Sequence, residues 1–312
     1  MRYLFMGSSD YGLPALAKLI QNGYQPSLVI SQPHRPSGRN LQKTPTPVSQ
    51  FALEHKLPLY NPEDINSEES IAKLADYEAD IIISASYGNY LGKKVRMLCP
   101  FRAVNLHPSL LPKYRGSTPI QSAILKGETE TGTTIFQITA KMDAGPIFRQ
   151  EKLSISEKEN YTDLLERLKQ QAADILWLFW QDLLKGKELS HSEQDESQAT
   201  WCSTFNKQSG LINWSNQAKN IHNQIRAFSL TPGAWTYFRA KTMKILASEL
   251  TAKLAEGKPG QICCLDKKSG FFVNCMDYKL LITKVQAEGK KIMDAAAFIN
   301  GARLLSEEIL GS

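Results

Sequence analysis

Short apolar runs alternate with amphipathic segments along the first half of the chain. Buried strands are predicted at five such runs, residues 2–6, 27–31, 80–85, 103–107 and 133–138. Helical spacing of apolar positions is found at residues 13–20, 65–75 and 120–125. This alternation predicts an α/β fold with a doubly wound, mostly parallel, Rossmann-like sheet. We expect ligands to bind beyond the carboxyl ends of its strands.

The pattern changes in the second half of the chain. Residues 160–184 read as one long amphipathic helix, and residues 190–200 are polar without periodicity, which is typical of a linker. A short helix is then expected at residues 221–228. Five strand candidates follow it, at residues 234–238, 243–247, 260–264, 270–274 and 280–285. We therefore predict a catalytic domain over 1–189, a linker over 190–205 and a small OB-like β-barrel over 206–312.

The composition is that of an ordinary globular protein with about two domains. The chain has 312 residues, of which 42% are hydrophobic and 22% charged. No apolar run approaches the roughly 18 residues that a membrane helix needs. The five cysteines are odd in number and lack framework spacing, which favours reduced thiols in a cytoplasmic protein. No CxxC pair or His cluster accompanies them, so we expect no metal site.

The net charge of +6 is unevenly distributed. Residues 1–205 contain 22 Lys and Arg against 23 Asp and Glu, whereas residues 206–312 contain 15 against 8. A small basic module beside a neutral one favours a polyanionic partner. Charge that serves solubility alone is the alternative.

Residues 105–116, whose sequence is NLHPSLLPKYRG, carry the clearest chemical signal. Asn105 and His107 are two positions apart in a predicted strand, so both side chains point to one face. A carboxylate that can complete the set is Asp143. An amide, an imidazole and a carboxylate at a strand end suit acyl transfer. A histidine in such a loop can also be purely structural.

The whole block resembles one superfamily, the 10-formyltetrahydrofolate-dependent formyltransferases. Within it, two further features are similar to the methionyl-tRNA formyltransferases. The loop after the second strand resembles their basic insertion, with Arg35, Arg39 and Lys43 available to phosphates. The basic C-terminal module resembles their second domain, which implies tRNA binding. Its candidate phosphate contacts are Arg226, Lys241, Lys244, Lys290 and Lys291. A solvated basic loop is the alternative for the first feature, and ordinary surface charge for the second.

The resemblance implies transfer of a formyl group from 10-formyltetrahydrofolate to the α-amino group of initiator methionyl-tRNA. Asn105 and His107 would then donate to the oxyanion of a tetrahedral intermediate, and Asp143 would orient the imidazole and accept a proton. The folate site would be lined by Ser109, Leu110, Leu111 and Pro112. No metal is implied, and nothing in the sequence demands more than a monomer.

Two other functions are open at this stage. The first is formyl transfer to an amino-sugar nucleotide, because enzymes of that group can also carry a small β domain. The second is non-catalytic RNA binding by an inactive transferase domain. The chain departs from the usual family pattern at Ser8, Ser9 and Tyr11, and at Ala144 and Pro146 beside Asp143. These changes affect the fine positioning of the site.

Overall fold

The computed structural model describes residues 1–37, 42–186, 190–202, 204–229 and 232–311. The chain divides into two compact units, each assembled from several segments. The first consists of Met1–Pro119, Glu130–Ser154 and Leu165–Cys202. The second consists of Ile120–Thr129, Ile155–Leu164 and Ser203–Ser312.

A seven-stranded sheet forms the centre of the first unit. Its strands are β1 (Tyr3–Gly7), β2 (Leu28–Ile30), β5 (Leu59–Tyr60), β6 (Ile81–Ala85), β7 (Ala103–His107), β8 (Glu130–Gln137) and β9 (Ile147–Ser154), and a separate hairpin holds β3 (Arg35–Ser37) and β4 (Gln42–Thr44). The order in the sheet is β5-β2-β1-β6-β7-β8-β9. The first five pair in parallel, and β8 and β9 continue the sheet in antiparallel pairing. The strand order therefore reverses between β1 and β6, where a doubly wound sheet opens a crevice.

Six α-helices precede residue 190 in the described part of the chain, and two of them begin at side-chain caps. They are α1 (Leu13–Gln21), α2 (Pro47–Glu54), α3 (Glu68–Ala75), α4 (Lys93–Arg96), α5 (Pro119–Leu125) and α6 (Tyr161–Leu184). The side chain of Thr46 accepts from the Ser49 backbone N–H at the start of α2, and Pro47 suits its first position. Ser67 caps α3 in the same way. None of the helices in the described ranges combines the length and apolar content needed to cross a membrane.

Alternate side chains of β1 face the two sides of the sheet. Leu4 and Met6 belong to a buried cluster that includes Leu74 of α3 and Val95 of α4. On the other side, the ring of Tyr3 lies edge-on to a tryptophan of α6, with centroids 5.1 Å apart. Helices on both faces leave the strand ends as the accessible edges of the sheet.

The second unit is built on a six-stranded antiparallel sheet. Its elements are α7 (Ala218–Ala227), β10 (Trp235–Phe238), β11 (Lys241–Leu254), β12 (Ile262–Asp266), β13 (Gly270–Asn274), β14 (Tyr278–Ala287), β15 (Met293–Asp294) and α8 (Ala295–Ala302). The order is β10-β11-β14-β13-β12, with β15 paired to β14. Both helices pack against the sheet, and Phe298 of α8 contacts the rings of Phe238 and Phe271.

The predicted fold class is confirmed: a mostly parallel sheet with helices on both faces, and a separate antiparallel sheet in the C-terminal part. The strand predicted at residues 103–107 has the predicted bounds. Other elements were not predicted, among them α2 and β9. The domain boundaries at 189 and 205 stay a prediction.

Candidate functional site

Loops from three strands meet at the carboxyl edge of the first sheet. Ser8 follows β1, Gln32 follows β2 and Tyr87 follows β6. The Ser8 hydroxyl donates to the carbonyl oxygen of Tyr87 at 3.0 Å, and the Gln32 side-chain amide donates to the same oxygen at 2.9 Å. Burial raises the pKa of Tyr87 to about 12, so its phenol stays neutral. These bonds fix the edge of the crevice next to β7.

Strand β7 presents Asn105 and His107 beside this crevice. Asn105 lies between Ser84 of β6 and Phe136 of β8, and His107 lies opposite Thr134. Two positions apart on one strand, both side chains share a face of the sheet. Asn105 is half-buried, and no hydrogen bond within the described part of the chain engages its side-chain amide. That amide is therefore available to a ligand.

The imidazole of His107 is fixed by a backbone carbonyl. The ring is 5% exposed, and its Nε2 lies 3.0 Å from the carbonyl oxygen of Tyr114. A carbonyl oxygen can only accept, so Nε2 carries the hydrogen in this bond. The ring of Phe136 packs edge-on against the imidazole. Nδ1 is thereby left as the nitrogen that can take part in chemistry.

The structure brings Asp143 to this free nitrogen. Its Oδ2 lies 3.8 Å from Nδ1 of His107, which is close for two charges but too long for a hydrogen bond. The same Oδ2 accepts from the backbone N–H of Gly116 at 2.8 Å. Gly116 has φ +114, a conformation that favours glycine. The predicted catalytic pair is thus adjacent in space, and the orientation of the imidazole comes from Tyr114, which the sequence pattern does not indicate.

The predicted folate-binding residues, Ser109, Leu110, Leu111 and Pro112, form a tightly bonded turn after β7. The Ser109 hydroxyl donates to the carbonyl oxygen of Lys113 at 2.7 Å, and both Ser109 and Leu111 are buried. The peptide bond between Leu111 and Pro112 is cis. Leu110 and Pro112 are half-buried. Of the apolar side chains in this turn, these two are the ones that a ligand can reach.

Two polar side chains of the neighbouring strands hold the turn in place. Thr134 donates its hydroxyl to the carbonyl oxygen of Ser109 at 2.6 Å. Gln150 donates its side-chain amide to the carbonyl oxygen of Leu111 at 2.9 Å. Main-chain groups of the turn are thereby set in position before any ligand binds.

A segment that the sequence predicted to be a linker packs directly on the chain that follows His107. We call residues Gln194–Cys202 the strap. The backbone N–H of Arg115 donates to the carbonyl oxygen of Thr200 at 2.9 Å, and the N–H of Cys202 donates to the carbonyl oxygen of Arg115 at 2.8 Å. The strap therefore pairs with the chain between His107 and Gly116. Its polar, aperiodic sequence contains no signal of this, because its partners lie about 80 residues away along the chain.

The predicted tRNA-binding residues of the basic loop lie on or near the hairpin of β3 and β4. Arg35 is exposed, and its backbone pairs with Thr44. The backbone of Lys43 pairs with Pro36. Arg39 lies outside the described residues. The described part of this loop is thus a two-stranded hairpin.

Arg226, the fourth predicted tRNA-binding residue, is buried within the second unit. Only 7% of it is exposed. Its Nη1 donates to the carbonyl oxygens of Ser156 and Glu159, at 2.9 and 2.8 Å, and its Nη2 donates to Oδ1 of Asn223 at 2.7 Å. Burial lowers the pKa of this guanidinium below its ordinary value. The placement is that of a structural tether and argues against a direct phosphate contact.

Other basic residues of the second unit are on its surface. Four exposed lysines form no ion pair with the described residues: Lys241, Lys244, Lys290 and Lys291. Lys244 lies on β11 between the buried Met243 and Ile245, so it points away from the core. Uncompensated surface cations of this kind suit a polyanion.

Comparison with known proteins assigns the family. The model described as "Formyl transferase" matches residues 1–178, and the one described as "Formyl transferase, C-terminal domain" matches residues 205–303. The chain belongs to the formyl transferase family. It is 36% identical over 311 residues to "Methionyl-tRNA formyltransferase" of Moorella thermoacetica, covering 100% of this chain and 99% of the relative. The predicted resemblance to methionyl-tRNA formyltransferases is therefore confirmed.

Solved structures of other proteins share the fold. The sugar 3N-formyl transferase WlaRD, determined with dTDP and 5-N-formyl-THF, has a TM-score of 0.67 at 19% identity, covering 93% of this chain and 99% of its own. HypX from Aquifex aeolicus, in complex with tetrahydrofolic acid, has a TM-score of 0.66 at 16% identity. That match covers 99% of this chain, which spans about half (48%) of the HypX chain. At these identities the likeness concerns the fold alone.

Proposed function

We propose that this protein transfers the formyl group of 10-formyltetrahydrofolate to the α-amino group of methionyl-tRNA, giving the N-formylmethionyl-tRNA used in translation initiation. The observation that carries the proposal is the pair of His107 and Asp143. Nδ1 of His107, at the end of β7, lies 3.8 Å from Oδ2 of Asp143. It lies in a chain that is similar over its full length to a methionyl-tRNA formyltransferase. Initiation in the cytoplasm is the setting that this activity implies.

Asn105 and His107 would stabilise the tetrahedral intermediate. The neutral amine of methionine attacks the formyl carbon, and the carbonyl oxygen becomes an oxyanion. The Asn105 amide, which has no hydrogen-bond partner among the described residues, donates to that oxygen. His107 uses Nε2 for Tyr114, so it donates through Nδ1, which requires both ring nitrogens to be protonated. Donors that are fixed before the charge develops lower the barrier most.

Asp143 would move the proton of the attacking amine. Its carboxylate faces Nδ1 and is held by the Gly116 N–H. In the proposed mechanism it accepts the amine proton through a water molecule that bridges the amine and the carboxylate. His107 then gives its Nδ1 proton to N10 as the bond between N10 and the formyl carbon breaks. Asp143 then passes the proton it accepted to Nδ1 of His107, 3.8 Å away, which restores the enzyme. One proton leaves the amine and one reaches N10, so the cycle balances without a metal or a covalent enzyme intermediate.

The turn after β7 would receive the folate. Leu110 and Pro112 offer apolar surface to the flat rings, while Ser109 and Leu111 are buried and support the turn. Main-chain groups of the turn can read the polar edge of the pterin. This division of roles is a refinement of the sequence-based proposal, in which all four residues lined the site.

The tRNA would be bound by the basic hairpin and by the surface of the second unit. Arg35, Arg39 and Lys43 would contact phosphates near the acceptor end, and the exposed lysines would add contacts elsewhere. We leave Arg226 out of this set because its guanidinium is occupied by protein acceptors. No oligomeric partner is required by this scheme.

The proposal is tested by a direct assay with 10-formyltetrahydrofolate and two acceptors, methionyl-tRNA and an amino-sugar nucleotide. Formylation of methionyl-tRNA, with affinity that falls steeply as salt rises, is the expected result. Formylation of the sugar nucleotide alone would assign the protein to the other enzyme group. Binding of tRNA without turnover of either acceptor would indicate a non-catalytic RNA-binding protein.

A further inference from the structure

We propose that Gln194 and Arg115 are positioning residues that hold the loop of Asp143 in the geometry needed for proton transfer. This inference rests on the proposed function, since it concerns the carboxylate of that site. It makes the strap a part of the catalytic apparatus rather than a spacer between two domains. The argument begins with the backbone of Asp143 itself.

Asp143 lies in the loop between β8 and β9, at the start of an irregular turn of three residues, 143–145. Its φ is +49, a left-handed conformation that costs free energy for a residue with a side chain. Two residues later, the backbone of Gly145 passes so close to β8 that a Cβ there would lie 1.8 Å from the carbonyl oxygen of Gln137. A turn with this conformation persists only where its surroundings hold it.

Gln194 supplies the missing restraint. Its Nε2 donates to the carbonyl oxygen of Asp143 at 2.9 Å and to that of Gly145 at 2.8 Å. One amide group thus bonds both ends of the three-residue turn. These are the two hydrogens that a primary amide can donate, so its donor capacity is used in full.

Arg115 fixes the direction of this amide. Its Nε and Nη2 donate to Oε1 of Gln194 at 3.2 and 2.8 Å. A flipped amide would point its own hydrogens at these cationic donors, so the guanidinium selects the orientation in which Nε2 faces the turn.

The guanidinium is itself held on the opposite side. Arg115 is 1% exposed, and its Nη1 and Nη2 donate to the two carboxylate oxygens of Glu196 at 3.1 and 2.9 Å. This bond holds the pKa of Glu196 below its ordinary value. The chain of contacts therefore runs from the solvent-facing Glu196 through Arg115 and Gln194 to the turn.

The contacts close a ring around Asp143. Gly116, the next residue after Arg115, donates its N–H to Oδ2 of Asp143. The backbone of Asp143 is held by Gln194, and Gln194 is held by the Arg115 side chain. Arg115 and Gly116 thus hold both parts of Asp143: Gly116 bonds the carboxylate directly, and Arg115 holds the backbone through Gln194. A shift of the strap moves the carboxylate relative to His107.

The first test replaces Gln194 by methionine, which keeps the length and removes every hydrogen bond. Displacement of a reacting group by about 1 Å can cost up to about 100-fold in rate, so we expect kcat for formyl transfer to fall about 10- to 100-fold. KM for both substrates should change less than about twofold, because the side-chain amide of Gln194 is engaged by Asp143, Gly145 and Arg115 and is assigned no contact with substrate. Gln50→Met is the matched control: Gln50 is an exposed residue of α2, outside the strap and the site, whose side chain donates to Glu54 of the same helix, and kcat should stay at the wild-type value.

A double-mutant cycle with Asp143→Asn separates positioning from simple stabilisation. A residue that acts through Asp143 has nothing left to position once that carboxylate is gone, so Gln194→Met should cause no further loss of kcat in the Asp143→Asn background. A full, additive loss there would overturn the proposal. So would a wild-type kcat for Gln194→Met combined with a lowered unfolding temperature, because that is the behaviour of a structural residue.

A second variant covers the case in which Gln194→Met does not fold. Glu196→Gln leaves both positioning residues in place and weakens the ion pair that holds the Arg115 guanidinium on its exposed side. It should lower kcat less than Gln194→Met but in the same direction, and an unchanged kcat would contradict the part assigned to Arg115. If Asp143→Asn alone retains wild-type kcat, the proposed mechanism fails instead, which is a distinct outcome from failure of the positioning.

Discussion

Nε2 of His107 donates to the backbone carbonyl of Tyr114 at 3.0 Å. This bond leaves Nδ1 to face Asp143, so Nδ1 is the imidazole nitrogen that serves the reaction in the proposed mechanism. In a serine-protease-like triad a carboxylate accepts from the imidazole and orients it. Here a main-chain oxygen takes that role, and the carboxylate remains available to accept a proton from a substrate.

Replacing Asn105 by alanine removes the amide that has no other partner in the described part of the chain. Loss of one oxyanion donor typically lowers kcat by about 10²- to 10³-fold, and we expect a fall in this range. KM for 10-formyltetrahydrofolate should change little. Asn300→Ala, at an exposed position of α8, is the control. Steady-state kinetics with both substrates measure the effect. A raised KM with an unchanged kcat would assign Asn105 to ground-state binding.

Alanine at Arg35, Arg39 or Lys43 should raise KM for methionyl-tRNA several-fold and leave KM for the folate unchanged. Each lost phosphate contact should also reduce the slope of log affinity against log salt by about one. Lys93→Ala, which removes an exposed lysine of α4, is the matched control. Equal changes for tRNA and folate would show that the hairpin does not read the tRNA.

Arg226→Met should destabilise the protein without weakening tRNA binding. The change leaves the carbonyls of Ser156 and Glu159 and the side chain of Asn223 without their donor, at a cost of about 2 kcal/mol or more in the free energy of unfolding. Arg2→Met, at an exposed ion pair with Glu78, should cost less than about 1 kcal/mol. Urea unfolding gives the first quantity and tRNA titration the second. Weakened tRNA binding at wild-type stability would instead support a direct contact between Arg226 and a tRNA phosphate.

The buried His222 makes stability depend on pH. Burial lowers the pKa of its imidazole, with the charge of Arg226 adding to the effect, while a hydrogen bond to the Glu157 carbonyl opposes it. Between the lowered folded value and the ordinary value near 6.5, the unfolded chain binds a proton that the folded chain does not.

Stability therefore falls as pH drops below the ordinary histidine value, and the fall ends below the folded value. His222→Gln, which can keep a hydrogen bond but cannot take up a proton in this range, should flatten the dependence. Thermal unfolding between about pH 7 and about pH 5.5 compares the two proteins. Parallel curves would show that His222 titrates alike in both states.

The hydrophobic pattern predicted the sheet because a buried strand needs little more than a short apolar run. Strand β7 met that condition and was predicted with its observed bounds. Strand β9 was not predicted, since four polar or charged residues, 149–152, occupy its middle and it is the edge strand of the sheet. Its pairing with β8 depends on a partner that the local sequence does not specify.

The sequence could predict only those parts of the site that depend on the type and spacing of side chains. Asn105, His107 and Asp143 are recognisable by residue type and spacing. The carbonyl of Tyr114 is not, because every residue has one. The strap was read as a linker, since a buried Arg115 is satisfied by residues about 80 positions away. Such long-range polar contacts leave no periodicity in the sequence.

The central claim is that His107, fixed by Tyr114 and facing Asp143, carries the chemical step of formyl transfer. The most direct test is the single-turnover rate of formyl transfer from 10-formyltetrahydrofolate to methionyl-tRNA by His107→Ala, with the exposed His191→Ala as control. The account predicts a rate lower by about 10²-fold or more for His107→Ala and an unchanged rate for the control. A His107→Ala rate within about tenfold of the wild type would contradict it.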